Sequence, residues 1–125
     1  MIYLDLDDLL YIAERAIGTA PVVRDAGLLE SAAVRPRTEL FGAPVYPTLP
    51  LKAAALTLSL VGNHALVDGN KRLGLAGLIA FLGVNGYRLR LTNDEAHDLI
   101  VSIAAGELDD VADLAAIIEG KITAR

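Results

Sequence analysis

Within nine residues, HALVDGNKR from His64 to Arg72, the sequence sets an imidazole, a carboxylate, an amide, two cations and a glycine turn directly before a long apolar run. A turn followed by such a run reads as a helix start, and helix starts favour acid because their unpaired N–H groups make that end positive. Lys71 and Arg72 therefore oppose the helix dipole, by about 0.3–1 kcal/mol each if exposed, and an anion is the simplest compensation. Gly69 would let a phosphate come close to the free main-chain N–H groups of Gly69 onward. Arg72 can grip phosphate oxygens in a bidentate fork and Lys71 adds charge. Asp68 cannot bind phosphate itself, but a carboxylate beside phosphate oxygens is how Mg2+ is usually held. His64, four residues ahead of Asp68, is within reach as a general base near neutral pH. Together these are the parts of phosphoryl or nucleotidyl transfer.

Taken singly, each part has a plainer reading. His64 could equally be a helix C-terminal histidine stabilised by the dipole. Asp68 and Asn70 could be ordinary turn and capping residues. Lys71 and Arg72 could snorkel or pair with nearby carboxylates. Their coincidence at the head of one apolar helix favours the site.

The elements that must position these groups are mostly helices. Asp5 to Ile17 has helical apolar spacing, acid in its first turn and a stop at Gly18. A second helix is expected from Gly27 to Val34, ending before Pro36. The stretch RPRTELFGAPVYPTLP carries four of the five prolines and reads as the one long irregular segment, a length often functional in a small domain, though a mere surface connection reads at least as well. A third helix is expected from Leu51 to Leu66 and a fourth from Asn70 to Asn85, closed by Gly86. YRLRL, Tyr87 to Leu91, is the one convincing strand, with Ile2 to Leu4 as its expected partner. Thr92 to Glu95 has capping-box spacing and opens a fifth helix to Ala105; Asp109 and Asp110 open a sixth that ends near Gly120.

The fourth helix is apolar nearly all round, so it is expected to be the central one, with Gly74, Gly77 and Gly83 admitting close neighbours. Three other helices begin with acid, and Lys52 near the start of the third is the lone exception. His97, an isolated histidine, reads as structural, Arg88 and Arg90 as a solvated face, and Glu107 to Asp113 as helix capping.

The size of 125 residues and 54% hydrophobic content suit a single domain over residues 1–125 with a real core. No apolar run has the length of a membrane span, and the acidic N-terminus does not fit a signal peptide. Without cysteine there is neither disulfide nor thiol chemistry, and a soluble, cytoplasmic protein is expected. A net charge of −5 excludes a broad nucleic-acid face, so any phosphate site must be small and local.

HALVDGNKR resembles the motif of the Fic/Doc superfamily, His-x-Phe-x-(Asp/Glu)-(Gly/Ala)-Asn-(Gly/Lys)-Arg, departing from it only at Leu66, where the family usually has a buried Phe. VRDAGLLESAAVRPRTELFG before the motif and AFLGVNGYRL after it are similar to the short Doc-type toxins of toxin–antitoxin pairs. The resemblance implies a mainly α fold, a bundle of about six helices around a buried central helix with at most a short β element.

It also implies a reaction. Members that transfer AMP typically carry Gly at the position of Lys71 and a second Arg at that of Leu75, whereas Doc toxins carry Lys and Leu and phosphorylate a threonine of the elongation factor EF-Tu. A long cation at Lys71 would fill part of the anion cradle and turn ATP round. By this similarity His64 is the base, Asp68 and Asn70 organise Mg2+ and phosphates, and Lys71 and Arg72 stabilise the transferring group. Gly69 is the AMP-transferring choice where the Doc prototype has Ala. The loop around Phe41 to Leu49 lies where the family has a flap that aligns the target peptide. AAIIEG, Ala115 to Gly120, has the Glu-Gly of the family's silencing helix but lacks its hydroxyl, so silencing is expected from a separate, Phd-like antitoxin. The implied function is an ATP-dependent protein kinase toxin acting on a translation factor, without direct nucleic-acid or membrane binding. The alternatives are a protein adenylyltransferase and a non-catalytic nucleotide- or antitoxin-binding module.

Overall fold

Six helices form: α1 (Leu6–Ile17), α2 (Ala26–Val34), α3 (Leu49–Gly62), α4 (Asn70–Val84), α5 (Asn93–Ala104) and α6 (Val111–Glu119). The computed structural model describes residues 1–125. Five of the six start with a side-chain oxygen that accepts a first-turn N–H, from Asp5, Asp25, Thr48, Thr92 and Asp110. At Thr92 the capping box is complete, with Glu95 returning a bond to the Thr92 N–H at 2.9 Å. That backbone bond, then the Thr92 hydroxyl and Lys121, hold the Glu95 carboxyl below the ordinary carboxylate range. A lowered carboxyl stabilises above its unfolded pKa and loses that contribution as pH falls through the folded one, so this cap weakens in acid.

The central helix is α3, not α4. Nine of its residues are buried, from Lys52 to Val61 with only Leu58 part-exposed, while α4 buries Leu73, Gly74, Gly77, Leu78, Phe81 and Leu82. Helix α3 packs on α2, α4, α5 and α6. Its small residues Ala53, Ala54 and Ala55 let neighbours close in from every side, which apolar content alone does not reveal. Ile79 and Val84 of α4 remain exposed. Lys52, the cation in the first turn of α3, is itself buried: Nζ donates to the Pro36 carbonyl at 3.1 Å and lies over the Tyr3 ring.

Two of the three α4 glycines do bring helices together. A Cβ at Gly74 would sit 2.4 Å from Val61 Cγ2, and one at Gly77 2.6 Å from Leu60 Cδ1, whereas Gly83 meets only the Arg125 guanidinium at 3.4 Å. Alanine normally gains about 1 kcal/mol over glycine in a helix. At Gly74 the clash with a β-branched, stiff Val61 reverses the sign, and Gly74→Ala is expected to destabilise by about 1–2 kcal/mol. Gly83→Ala should instead be neutral or stabilising by up to about 1 kcal/mol. Urea midpoints at equal m-values read both, and equal shifts would refute the contrast.

The β structure is small and differs from expectation. Strand β1 (Glu39–Leu40) pairs with β2 (Ala43–Pro44) as a hairpin inside the proline-rich loop. Strand β3 (Tyr87–Leu89) pairs antiparallel with β4 (Ile122–Ala124), not with Ile2 to Leu4. The N-terminus is taken instead by Asn85, whose side-chain amide bonds both the N–H and the carbonyl of Ile2 at 2.8 Å. No helix is long and apolar enough to cross a membrane.

Candidate active site

Helix α3 stops at Gly62, four residues before the expected end, with Asn63 as its C-cap. His64 follows with φ +51°, in the left-handed position that a helix usually closes with glycine. Phe41 is the one other non-glycine residue with positive φ. Such a conformation in a bulky residue persists only when its surroundings impose it.

They do so here through the whole loop from Asn63 to Gly69. The Ala65 carbonyl accepts from the N–H groups of Arg24 and Asp25 at 2.8 and 3.0 Å, and the Val67 N–H donates to Val22 O at 2.9 Å. The Asn70 side chain closes a ring on Leu66, accepting from its N–H at 3.0 Å and donating to its carbonyl at 2.9 Å. Asn70 thus braces the loop with both ends of its amide. Leu66 is 1% exposed within the core, so leucine fills the anchoring position that the motif usually gives to Phe.

Past the loop, α4 is the one helix without a side-chain cap. Gly69 stands at its start with φ +92°, and a Cβ there would meet Ile17 Cδ1 at 2.4 Å. The first intrahelical bond is Leu73 N–H to Gly69 O, which leaves the N–H groups of Asn70, Lys71 and Arg72 with no protein acceptor. Lys71 and Arg72 are exposed and pair with no carboxylate, since the single ion pair of the protein joins Lys121 to Glu95. The plainer reading, that nearby acid neutralises these cations, is thereby removed. Asp68 accepts the Gly69 N–H through Oδ1 at 2.8 Å, and its exposed carboxylate keeps coordination capacity.

Three concavities of similar size, about 480, 470 and 460 Å³, mark the surface. Volume does not choose between them, but chemistry does. Only the third gathers His64, Asp68, Gly69, Asn70, Lys71 and Arg72, with Val61, Val67 and Ala104 as its apolar walls. Next to it, Lys71 and Arg72 also border a cavity of about 340 Å³ lined by Leu75, His97, Ile100 and Val101. His97, read as structural in the sequence, is exposed there; its helical spacing on α5 carried no signal that α5 would face the cations. Glu119 is exposed at the end of α6 and lines neither cavity.

No group of three acidic or imidazole side chains could hold a metal ion on its own. A single carboxylate beside a phosphate cradle fits Mg2+, which keeps most of its waters and takes the rest of its shell from phosphate. Arg24 is a neighbour of the site that the motif does not reveal: its Nε donates to the His64 carbonyl at 2.8 Å, across 40 positions of sequence.

Residues 3–82 match the profile of the Fic/DOC family. The chain is also 45% identical over 109 residues to the protein named Toxin Doc of Mycolicibacterium smegmatis, a match that covers 86% of this chain and 84% of that one.

Proposed function

The chain belongs to the Fic/DOC family, and from that premise we propose that it is a growth-arresting toxin that transfers the γ-phosphate of ATP to a hydroxyl of a translation elongation factor, EF-Tu-like, in the cytoplasm. The observation that carries this reading is the convergence, in one 460 Å³ cavity, of a histidine with uncapped helix amides and two cations that lack any acidic partner.

In the proposed reaction His64 takes the proton of the target hydroxyl as its oxygen attacks the γ-phosphorus, and the bond to ADP breaks. The N–H groups at the head of α4, with Lys71 and Arg72, stabilise the charge that develops on the transferring group. Asp68 would hold Mg2+, which when bound neutralises phosphate charge and aligns the oxygens. Asn70 serves by holding the loop, and the Leu75–Val101 cavity is of a size to take the rest of the nucleotide. The β1–β2 hairpin presents Phe41, 99% exposed, as the flap that meets the target. Silencing falls to a Phd-like antitoxin in trans, consistent with Glu119 lying outside the cavities.

A second reading, transfer of AMP, draws support from the identity of Gly69, the residue that AMP-transferring members carry where the Doc prototype has Ala. ATP labelled in turn at the α- and γ-phosphate, incubated with the chain and a translation factor, separates them. Transfer of γ-label supports the kinase and transfer of α-label the adenylyltransferase. If neither label moves and His64→Ala behaves as the wild type does, the binding-module reading is left and the kinase reading fails.

A further inference from the structure

Helix α3 must end abruptly for His64 to reach the cavity, and the end is made from outside the helix. Its last carbonyls carry the negative end of the helix dipole, where a cation is stabilising. Arg24 brings a cation just past that end from the extended segment before α2, bonding the two residues that follow the helix: Nε donates to His64 O at 2.8 Å, and a terminal nitrogen makes a longer contact with O of the C-cap Asn63 at 3.4 Å. It has no carboxylate partner to draw it elsewhere. Its own N–H and that of Asp25 both bond Ala65 O, while Asp25 caps α2 through the Leu28 N–H at 3.1 Å. The arginine is therefore fixed at its base by the Ala65 carbonyl, next to the cap of α2, and, at its tip, grips the main chain of the one residue in the loop with a strained left-handed backbone. No other side chain bonds the main chain of His64.

We propose that Arg24 is a positioning residue for His64, holding the carbonyl of the base so that its imidazole stays at the cavity. The proposal rests on the reading of His64 as the base, and its test is built to fail separately. A guanidinium fork serves here because it reaches two carbonyls from one planar group, whereas lysine offers one compact charge.

The full chain is compared with Arg24→Ala and Arg24→Lys by transfer of label from ATP and by amide hydrogen exchange. For Arg24→Ala, kcat is expected to fall about 10- to 100-fold while the KM for ATP stays within about twofold, since a misplaced base costs rate rather than nucleotide binding. Exchange at the Leu66 and Val67 amides should quicken by about tenfold or more, with the interior of α3 and α4 unchanged. Arg24→Lys should recover part of the rate and part of the protection. Wild-type kcat and wild-type protection in Arg24→Ala would overturn the proposal, as would a uniform loss of protection across the helices, which marks general destabilisation. If the wild-type chain moves no label, the proposed function falls by itself. Exchange then decides for Arg24: quickening confined to Leu66 and Val67 supports the brace, and no change overturns it.

Discussion

Transfer from ATP is expected to fall about 10²- to 10⁴-fold in His64→Ala, the range a positioned general base contributes. Toxicity on expression should vanish with it. Stability should move the other way in a companion variant. At φ +51° a side chain is strained and glycine is not, so His64→Gly should be more stable than His64→Ala by about 0.5–1 kcal/mol, although both are inactive. Denaturant midpoints of the pair measure this, with wild type as reference. A His64→Ala chain that retains full activity would remove the base from the mechanism, and equal midpoints would remove the strain.

Arg72→Ala is expected to lose about 10²- to 10³-fold in transfer, as for other preorganised groups aimed at a developing anion. Lysine should restore little, because a single ammonium cannot reproduce the bidentate fork. Without bound nucleotide the same variant should be more stable than wild type by up to about 1 kcal/mol, since an unpaired cation is removed from the positive end of α4. Opposed changes of activity and stability mark a residue kept for its ligand. The reading fails if Arg72→Ala transfers normally, or if it unfolds more easily while binding ATP unchanged. Together the His64 and Arg72 variants separate proton removal from anion stabilisation: the first should spare the binding of ATP, and the second should weaken it.

Helix starts are legible in the amino-acid sequence because their signals are local. The capping residues Asp5, Thr92 and Asp110 lie where acid or hydroxyl precedes a periodic apolar stretch, a pattern that needs no tertiary information. The missing cap of α4 is equally local: a glycine and two cations stand where an acid belongs. The partner of β3 is not legible, because the choice between Ile2 to Leu4 and Ile122 to Ala124 depends on which end of the chain is brought alongside. Nor is the central helix: α4 has apolar residues on nearly every side, but alanines make α3 the one that others surround.

The sequence by itself determined the reagents of the site, since imidazole, carboxylate, cations and a glycine-led helix start occupy nine consecutive positions and their chemistry follows from type and spacing. The tertiary structure alone decided how they are aimed. The stop of α3 at Gly62, the left-handed turn at His64, the closure of Asn70 on Leu66 and the grip of Arg24 all belong to a loop whose shape is imposed by segments outside it. Backbone donors and acceptors that leave a helix must find partners, and which partners they find is fixed only when Val22 to Asp25 is packed against the loop.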